Sequence, residues 1–405
     1  MLIASRESVR PVADAGSVVE LTEAASLIEA ARGLAPKIEA VRADIDEQRQ
    51  IPSALVDDMS AAGLFSLWLP KVLNGPELHP VDYVRVIEEL AGHDGSVGWC
   101  ATVAAGLGII SGYLQPDVAR QIYGSGSAIM AGSAHPTGKA FVVDGGYRVT
   151  GRWGYGSGIQ HSNWVVGNCI VHDRGGPRPG PNGVPEMRLA IFPSSAVEVI
   201  DTWNVSGLRG TGSHDWRVAD NFVQEDHTIS FPCRPLQPGA LYAVPLLSAL
   251  SISIAAVPLG IARASIDAMI ELAAAKTPEY SPVPLRDKAT FQSDLGRAEA
   301  QLRSARSFLF ETACDLWDET ASGAAPSMRR RALVRLACSQ AAQASAQAVD
   351  LMHNAGGGTS LYETGQLARR FRDVHACTQH VATSTSSYEL GGRVLLGLEP
   401  GRAQI

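Results

Sequence analysis

From position 19 to about 119, Ala, Leu, Ile and Val return at three- and four-residue intervals with Glu, Arg and Lys between them, the spacing of amphipathic helices. Pro52, Pro70 and Pro80 divide this stretch, and Asp94-Gly95-Ser96 stands where a helix needs a cap before Val97 and Trp99. Near Ser125 the period changes. Short alternating runs at 140–143, 147–150, 164–171 and 197–202 read as strands, and Asp144-Gly145-Gly146 reads as a hairpin turn between two of them. Residues 174–185, RGGPRPGPNGVP, hold too much Pro and Gly for an element and read as a flexible loop. The strands end near Phe231, and a proline-spaced linker follows at 232–245. Helical spacing then returns at 246–276, 287–320, 326–354 and 366 to about 397, four runs long enough for a four-helix bundle. The order α, β, α predicts an α+β fold of three units, an all-α unit at 1–124, a β unit at 125–240 and a helical bundle at 241–405.

Composition narrows the function classes. The 405 residues are 45% hydrophobic and 19% charged with a formal charge of −7, enough apolar side chain for a large core and no basic footprint for nucleic acid or an anionic membrane. Six scattered cysteines (Cys100, Cys169, Cys233, Cys314, Cys338, Cys377) form no CxxC or Cys/His cluster, so no metal site is expected and a reduced, cytoplasmic protein is. The first 16 residues carry no apolar core of a secretory signal. The most apolar run, 244–259, is shorter than the roughly 20 residues of a membrane span and contains Pro245 and Pro258; it reads as a buried helix. Arg329-Arg330-Arg331 after Ser327 reads as a solvated helix face.

A nicotinamide-binding fingerprint is absent, since GYGSG at 154–158 and GGGT at 356–359 have the wrong spacing, and there is no P-loop, HExxH or GxSxG. Redox chemistry here therefore requires a bound cofactor reduced elsewhere or by the substrate. The segment GRWGYGSGIQHSNW, 151–164, could seat a planar heterocycle, walled by Trp153 and Tyr155 with Ser157 bonding a ring heteroatom. The same residues equally describe a glycine-rich β turn with aromatic packing. GLRGTGSHDW at 207–216 is a second glycine-rich loop.

Taken with the α-β-α order, four segments carry a specific resemblance: ELAGHDGSVGWC (89–100), GGYRVTGRWGYGSG (145–158), GLRGTGSHD (207–215) and AGGGTSLY with LARRFRDVHACTQH (355–380). The chain resembles the acyl-CoA dehydrogenase superfamily over about 19–397 and, within it, the two-component group D flavin-dependent monooxygenases. That resemblance implies a helical domain, a central β-barrel or sandwich domain and a C-terminal four-helix bundle. It also implies reduced FMN (FADH2 being possible) from a separate NAD(P)H:flavin reductase, and O2 activated as a C4a-hydroperoxyflavin that oxygenates a small aromatic or indole-like substrate. A homotetramer is implied as well.

Site residues follow from the same resemblance. His380 would be the proton donor, titrating near neutral pH, and Ser157 would accept from flavin N5–H. Trp99, Ser133, Ala134, Tyr155, Gly156, Ser157 and His380 would surround the isoalloxazine, Arg286 would reach the flavin phosphate of a neighbouring subunit, and Gly358 and Thr359 would close on the cofactor. At about 100° per residue along one continuous helix, Arg369, Asp373 and His380 share a face, His375 points away and Glu389 lies opposite. Two other readings carry different expectations: an FAD-dependent acyl-CoA dehydrogenase with Glu389 as base, and a non-catalytic flavin-binding scaffold.

Overall fold

A computed structural model describes residues 22–180, 183–231, 234–279 and 281–400; Cys233 and the first 16 residues, discussed above, lie outside them. The N-terminal helices are α1 (Glu23–Gly33), α2 (Ala35–Ala40), α3 (Arg42–Gln48), α4 (Ser53–Ala61), α5 (Pro80–His93), α6 (Gly95–Leu107) and α7 (Pro116–Tyr123). Asp94 caps α6 as the sequence predicts, its Oδ1 accepting from Ser96 N at 2.9 Å and Val97 N at 3.1 Å.

Eight strands follow: β1 (Met130–Val143), β2 (Gly146–Gly156), β3 (Trp164–Asp173), β4 (Gly176–Pro177), β5 (Met187–Pro193), β6 (Glu198–Ile200), β7 (His214–Gln224) and β8 (Thr228–Phe231). They form one connected sheet in the order β6-β7-β2-β1-β3-β5-β8, with β4 on β3; β1 and β3 are parallel and the other pairs antiparallel. Gly145 takes φ +74° in the β1–β2 turn, the left-handed geometry the hairpin signal asked for. Two sequence readings change. Residues 174–185 are not plain loop, since β4 and a Pro179–Pro185 bridge extend the β3 hairpin. The glycine-rich segment from 151 is not a turn at its start either: β2 runs on to Gly156, which sends Trp153 into the sheet core, 1% exposed and stacked on Trp216 at 4.3 Å. Trp153 is therefore unavailable as a ligand wall.

The remaining helices are α8 (Ala240–Ala243), α9 (Leu246–Ala275), α10 (Ala289–Ala321), α11 (Met328–Gly356), α12 (Gln366–Cys377) and α13 (Ser386–Leu395). α9 is apolar nearly all round and packs on α5, α6, α10, α11 and α12, which explains a run that reads as neither a surface helix nor a membrane span. Gly95–Tyr113 and Leu246–Ala275 are long and apolar enough to cross a membrane by composition, and most of each lies inside the fold.

The fourth predicted helix is broken. α12 stops at Cys377 and α13 begins at Ser386, with a 3-10 turn at Val381–Thr383 between them. No Gly or Pro stands at the break. Instead Thr378 and Thr383 hydroxyls bond the carbonyls of His375 and Cys377, competing for helix acceptors.

Candidate functional site

Three segments far apart in the chain meet at Trp99. From α6 its indole Nε1–H donates to Ser157 Oγ at 3.0 Å, just past the end of β2, and its ring meets His380 edge-on with centroids 5.6 Å apart. Ser157 is buried, but Tyr155 two residues earlier is 76% exposed with φ +62°, a strained geometry for a tyrosine. The β2 end thus carries an exposed aromatic ring, edge-on to Trp203, two residues before a buried hydroxyl.

That hydroxyl heads a chain with a direction. Ser157 Oγ lies 2.7 Å from Ser213 Oγ, which lies 2.7 Å from Thr211 Oγ1, and Thr211 Oγ1 donates to the Leu208 carbonyl at 2.8 Å. Each hydroxyl has one proton, so Thr211 must accept from Ser213 and Ser213 from Ser157. Ser157 therefore donates inward, accepts from Trp99, and keeps one lone pair for a ligand N–H. Ser213 and Thr211 belong to the second glycine-rich loop of the sequence, which showed the loop but not its hydroxyl partners.

His380 sits beyond α12, at the cap of the 381–383 turn, so the helix-phase argument that selected it does not hold. What orients the ring is Ala382 N, which donates to His380 Nδ1 at 3.1 Å. With Nδ1 accepting, the neutral ring carries its proton on Nε2. Burial, with the nearby Arg335 charge adding to it, pushes the imidazole pKa down to about 4 rather than leaving it near neutrality. At physiological pH His380 is a neutral Nε2–H donor. Arg335 on α11 donates to the carbonyls of Val381 and Ala382 at 3.0 and 3.1 Å, in the turn that carries the histidine.

Arg369 and Asp373, which one continuous helix would place on the face of His380, have other partners. Arg369 reaches Asp94 Oδ2 at 2.8 Å and the Arg42 carbonyl at 2.7 Å, while Asp373 Oδ1 accepts from Leu208 N at 2.6 Å. They tie the α6 cap and the 207–212 loop to α12, so they hold Trp99 and the hydroxyl chain from behind. Burial, aided by the Asp94 charge, raises Asp373 to about 7. His375 faces Asp350 at 2.9 Å, outside this cluster, as the sequence reading had it.

The other predicted residues fall into two groups. Ser133 and Ala134 lie on β1, which packs against α6, where its register to β3 shifts between Ser133 and Gly138; Ala134 O accepts from Asn168 Nδ2 at 2.9 Å. Gly156 closes β2 beside Ser157, where an added Cβ would come 2.8 Å from the Trp216 ring. Arg286, Gly358 and Thr359 are elsewhere. Lys276 Nζ bonds Thr359 Oγ1 at 2.7 Å and Lys276 O accepts from Leu285 N at 2.9 Å, which puts all three at the far end of α12 from His380. Twelve helical residues separate the two groups, about 18 Å. Glu389 is exposed on α13, next to Leu390, which packs on Ala332.

The chain matches the acyl-CoA dehydrogenase N-terminal domain family over residues 22–118 and the acyl-CoA dehydrogenase C-terminal domain family over 252–385. It is 32% identical to an indole-3-acetate monooxygenase of Pseudomonas putida, the alignment covering 88% of this chain and 90% of that protein. It is 25% identical to the flavin-dependent monooxygenase oxygenase subunit HsaA of Mycobacterium tuberculosis, over 96% and 99% of the two chains. Among solved structures it resembles XiaF from Streptomyces sp. in complex with FADH2 and glycerol, with a TM-score of 0.88, 26% identity and coverage of 94% and 98%.

Proposed function

This chain belongs to the acyl-CoA dehydrogenase family and is the oxygenase component of a flavin-dependent monooxygenase; from that premise we propose that Trp99, Ser157 and His380 form its oxygen-activating site. The observation that carries the site is the convergence of the three residues, with the Trp99 indole bonded to Ser157 at 3.0 Å and in ring contact with His380.

The donor set fits a reduced flavin. Bound there, reduced flavin supplies the electrons that activate O2 for insertion into the substrate. The lone pair left on Ser157 suits a ring N–H such as N5–H, and Trp99 and the Ser213–Thr211 chain hold that hydroxyl from rotating away. With Nδ1 accepting from Ala382 N, His380 would offer its Nε2–H as a donor to negative charge that develops beside the flavin. Neutral at pH 7, it acts first as a hydrogen-bond donor rather than as an imidazolium acid. Ser133, Ala134, Tyr155 and Gly156 would line the flat ring, with Gly156 and Ser157 buried beneath the open Tyr155.

Arg286, Gly358 and Thr359, about 18 Å away along α12, would serve the flavin of a second subunit. The reading is a homotetramer in the cytoplasm, taking reduced FMN, or FADH2, from a separate NAD(P)H:flavin reductase. The substrate would be a small aromatic, indole-like or phenolic molecule, supported by the 32% identity to an indole-3-acetate monooxygenase. The buried, unpaired thiols of Cys100, Cys169, Cys338 and Cys377 fit a reducing compartment.

The test is to mix purified protein, loaded anaerobically with chemically reduced FMN or FADH2, with O2 in a stopped-flow instrument. A delay between loss of reduced flavin and return of oxidised flavin, with oxygenation of an indole or phenol, supports the reading. Reoxidation as fast as in buffer would sink it. An acyl-CoA that bleaches bound FAD without O2 would restore the dehydrogenase reading, and a light-scattering mass of one chain would remove Arg286, Gly358 and Thr359 from the site.

A further inference from the structure

Arg335 is 6% exposed in the middle of the helical domain and meets no carboxylate among the described residues. Its partners are all neutral oxygens: Ser251 Oγ, Ala382 O, Val381 O and Ser387 Oγ, the carbonyl contacts at 3.1 and 3.0 Å and the Ser387 contact at 3.2 Å. A buried cation without a counter-ion is costly, and its packing alone could be met by an apolar side chain. Its fork instead grips α9 through Ser251, α13 through Ser387 and, with one nitrogen on each carbonyl, the turn that interrupts the fourth helix.

We propose that Arg335 is a positioning residue of the oxygen-activating site: its guanidinium fixes the Val381–Ala382 turn, and so the Nε2–H edge of His380, and its charge opposes a second charge on that ring. The geometry runs through one residue. Ala382 gives its carbonyl to Arg335 and its N–H to His380 Nδ1, and that N–H belongs to the Val381–Ala382 peptide whose carbonyl also binds Arg335, so the peptide that the arginine holds is the one that sets the histidine tautomer. Among the described residues, the other elements around the imidazole bring no opposing charge. α6 contributes the neutral Trp99 and α9 the Ser251 hydroxyl, while Asp373 on α12 is turned to Leu208 and Asp94, so Arg335 is the charged group that acts on His380. Desolvation lowers the His380 pKa and Arg335 lowers it further. The result is a histidine that stays a neutral donor across the working pH range.

The inference rests on the monooxygenase reading for what His380 does, and its test is chosen to be independent of that reading. Hydrogen exchange at imidazole C2, followed by mass spectrometry on flavin-free protein over a pH series, reports the midpoint of each histidine. Wild-type His380 should show no midpoint above about pH 5; Arg335→Gln should raise it by about 1–2 units, and Arg335→Lys, which keeps the charge, should stay close to wild type. In stopped-flow work both variants should bind reduced FMN with near wild-type affinity and lose at least about tenfold in the oxygen step, because neither restores the two-carbonyl fork. A wild-type midpoint near that of free histidine, or the same midpoint in wild type and Arg335→Gln, would overturn the proposal. If Arg335→Gln does not fold, Arg335→Lys decides it: a wild-type rate in the oxygen step would overturn the proposal, because the charge remains and only the two-carbonyl fork is lost. Wild-type protein that fails to delay flavin reoxidation would instead remove the monooxygenase reading and leave the exchange result standing.

Discussion

His380 stands edge-on to Trp99 with ring centroids 5.6 Å apart, although 280 positions separate the two in the chain. The contact joins the C-terminal helices to the N-terminal ones at the point where β2 delivers Ser157, and the proposed site is centred on it. Removing the imidazole should therefore affect chemistry rather than folding. His380→Ala is expected to leave thermal stability and reduced-flavin affinity nearly intact and to slow the oxygen step by roughly 10²–10⁴. His375→Ala and Glu389→Gln should react like wild type in the same stopped-flow traces; an inactive Glu389→Gln beside an active His380→Ala would reverse the assignment.

The rate of that step should also be flat in pH where a free histidine would titrate. With the His380 pKa down at about 4, the neutral donor is fully present from about pH 5.5 upward. A limb centred near pH 6.5 in the oxygen step, absent in His380→Ala, would contradict a neutral donor.

Ser157→Ala leaves the Trp99 indole N–H without its acceptor and the Ser213 oxygen without its donor, although Ser213 still donates to Thr211. We expect a loss of about 1–3 kcal/mol of stability together with faster unproductive flavin reoxidation. Ser157→Thr keeps the hydroxyl and should restore most of both; equal behaviour of the two variants in flavin reoxidation would mean that the hydroxyl does not touch the cofactor.

Asp373 makes stability depend on pH in a direction unusual for a carboxylate. Its folded-state pKa, about 7, lies above the ordinary value of 3.8, so the native state holds a proton that the unfolded chain releases. The associated stability is complete below about pH 4 and is lost as pH rises to about 7. Asp373→Asn keeps an oxygen for Leu208 N–H and removes the titration. Relative to wild type it should gain about 1–3 kcal/mol in urea unfolding between pH 5 and pH 8, and an unchanged difference would show that Asp373 is ionised throughout.

Gly207 tests the tether between the 207–212 loop and α12. An added Cβ there would lie 2.1 Å from the Arg372 carbonyl oxygen, a backbone atom that cannot swing aside. Gly207→Ala should cost about 1–3 kcal/mol and loosen Ser157 through Thr211 and Ser213, lowering the melting temperature and shortening the lifetime of the reduced-flavin complex with O2. Wild-type values for both would show that the loop can move without disturbing the site.

Much of this protein is determined locally. Three- and four-residue spacing marks the N-terminal helices and the three longest C-terminal ones, because burial of one face needs only near neighbours to be read. Gly145 and Asp94 announce a turn and a cap because φ above zero and orphan helix N–H groups are one-residue problems. The motifs around Trp99, Ser157 and His380 were legible as a resemblance before any geometry was known.

Tertiary structure decided the rest. Trp153 and Tyr155 stand two apart, which in a regular strand would put both on one face, yet β2 pairing with β7 buries the first, and a register shift between Trp153 and Gly156, with Tyr155 at φ +62°, leaves the second open. The break after Cys377 depends on hydroxyls that bond helix carbonyls and on an Arg335 more than 40 residues upstream, and no period along the chain records either. The proton position on His380, the direction of the Trp99–Ser157–Ser213–Thr211 chain and the raised pKa of Asp373 are all set by partners distant in sequence. Such partners matter because a hydrogen bond or a desolvated charge depends on what lies within a few ångströms, which only the folded chain fixes.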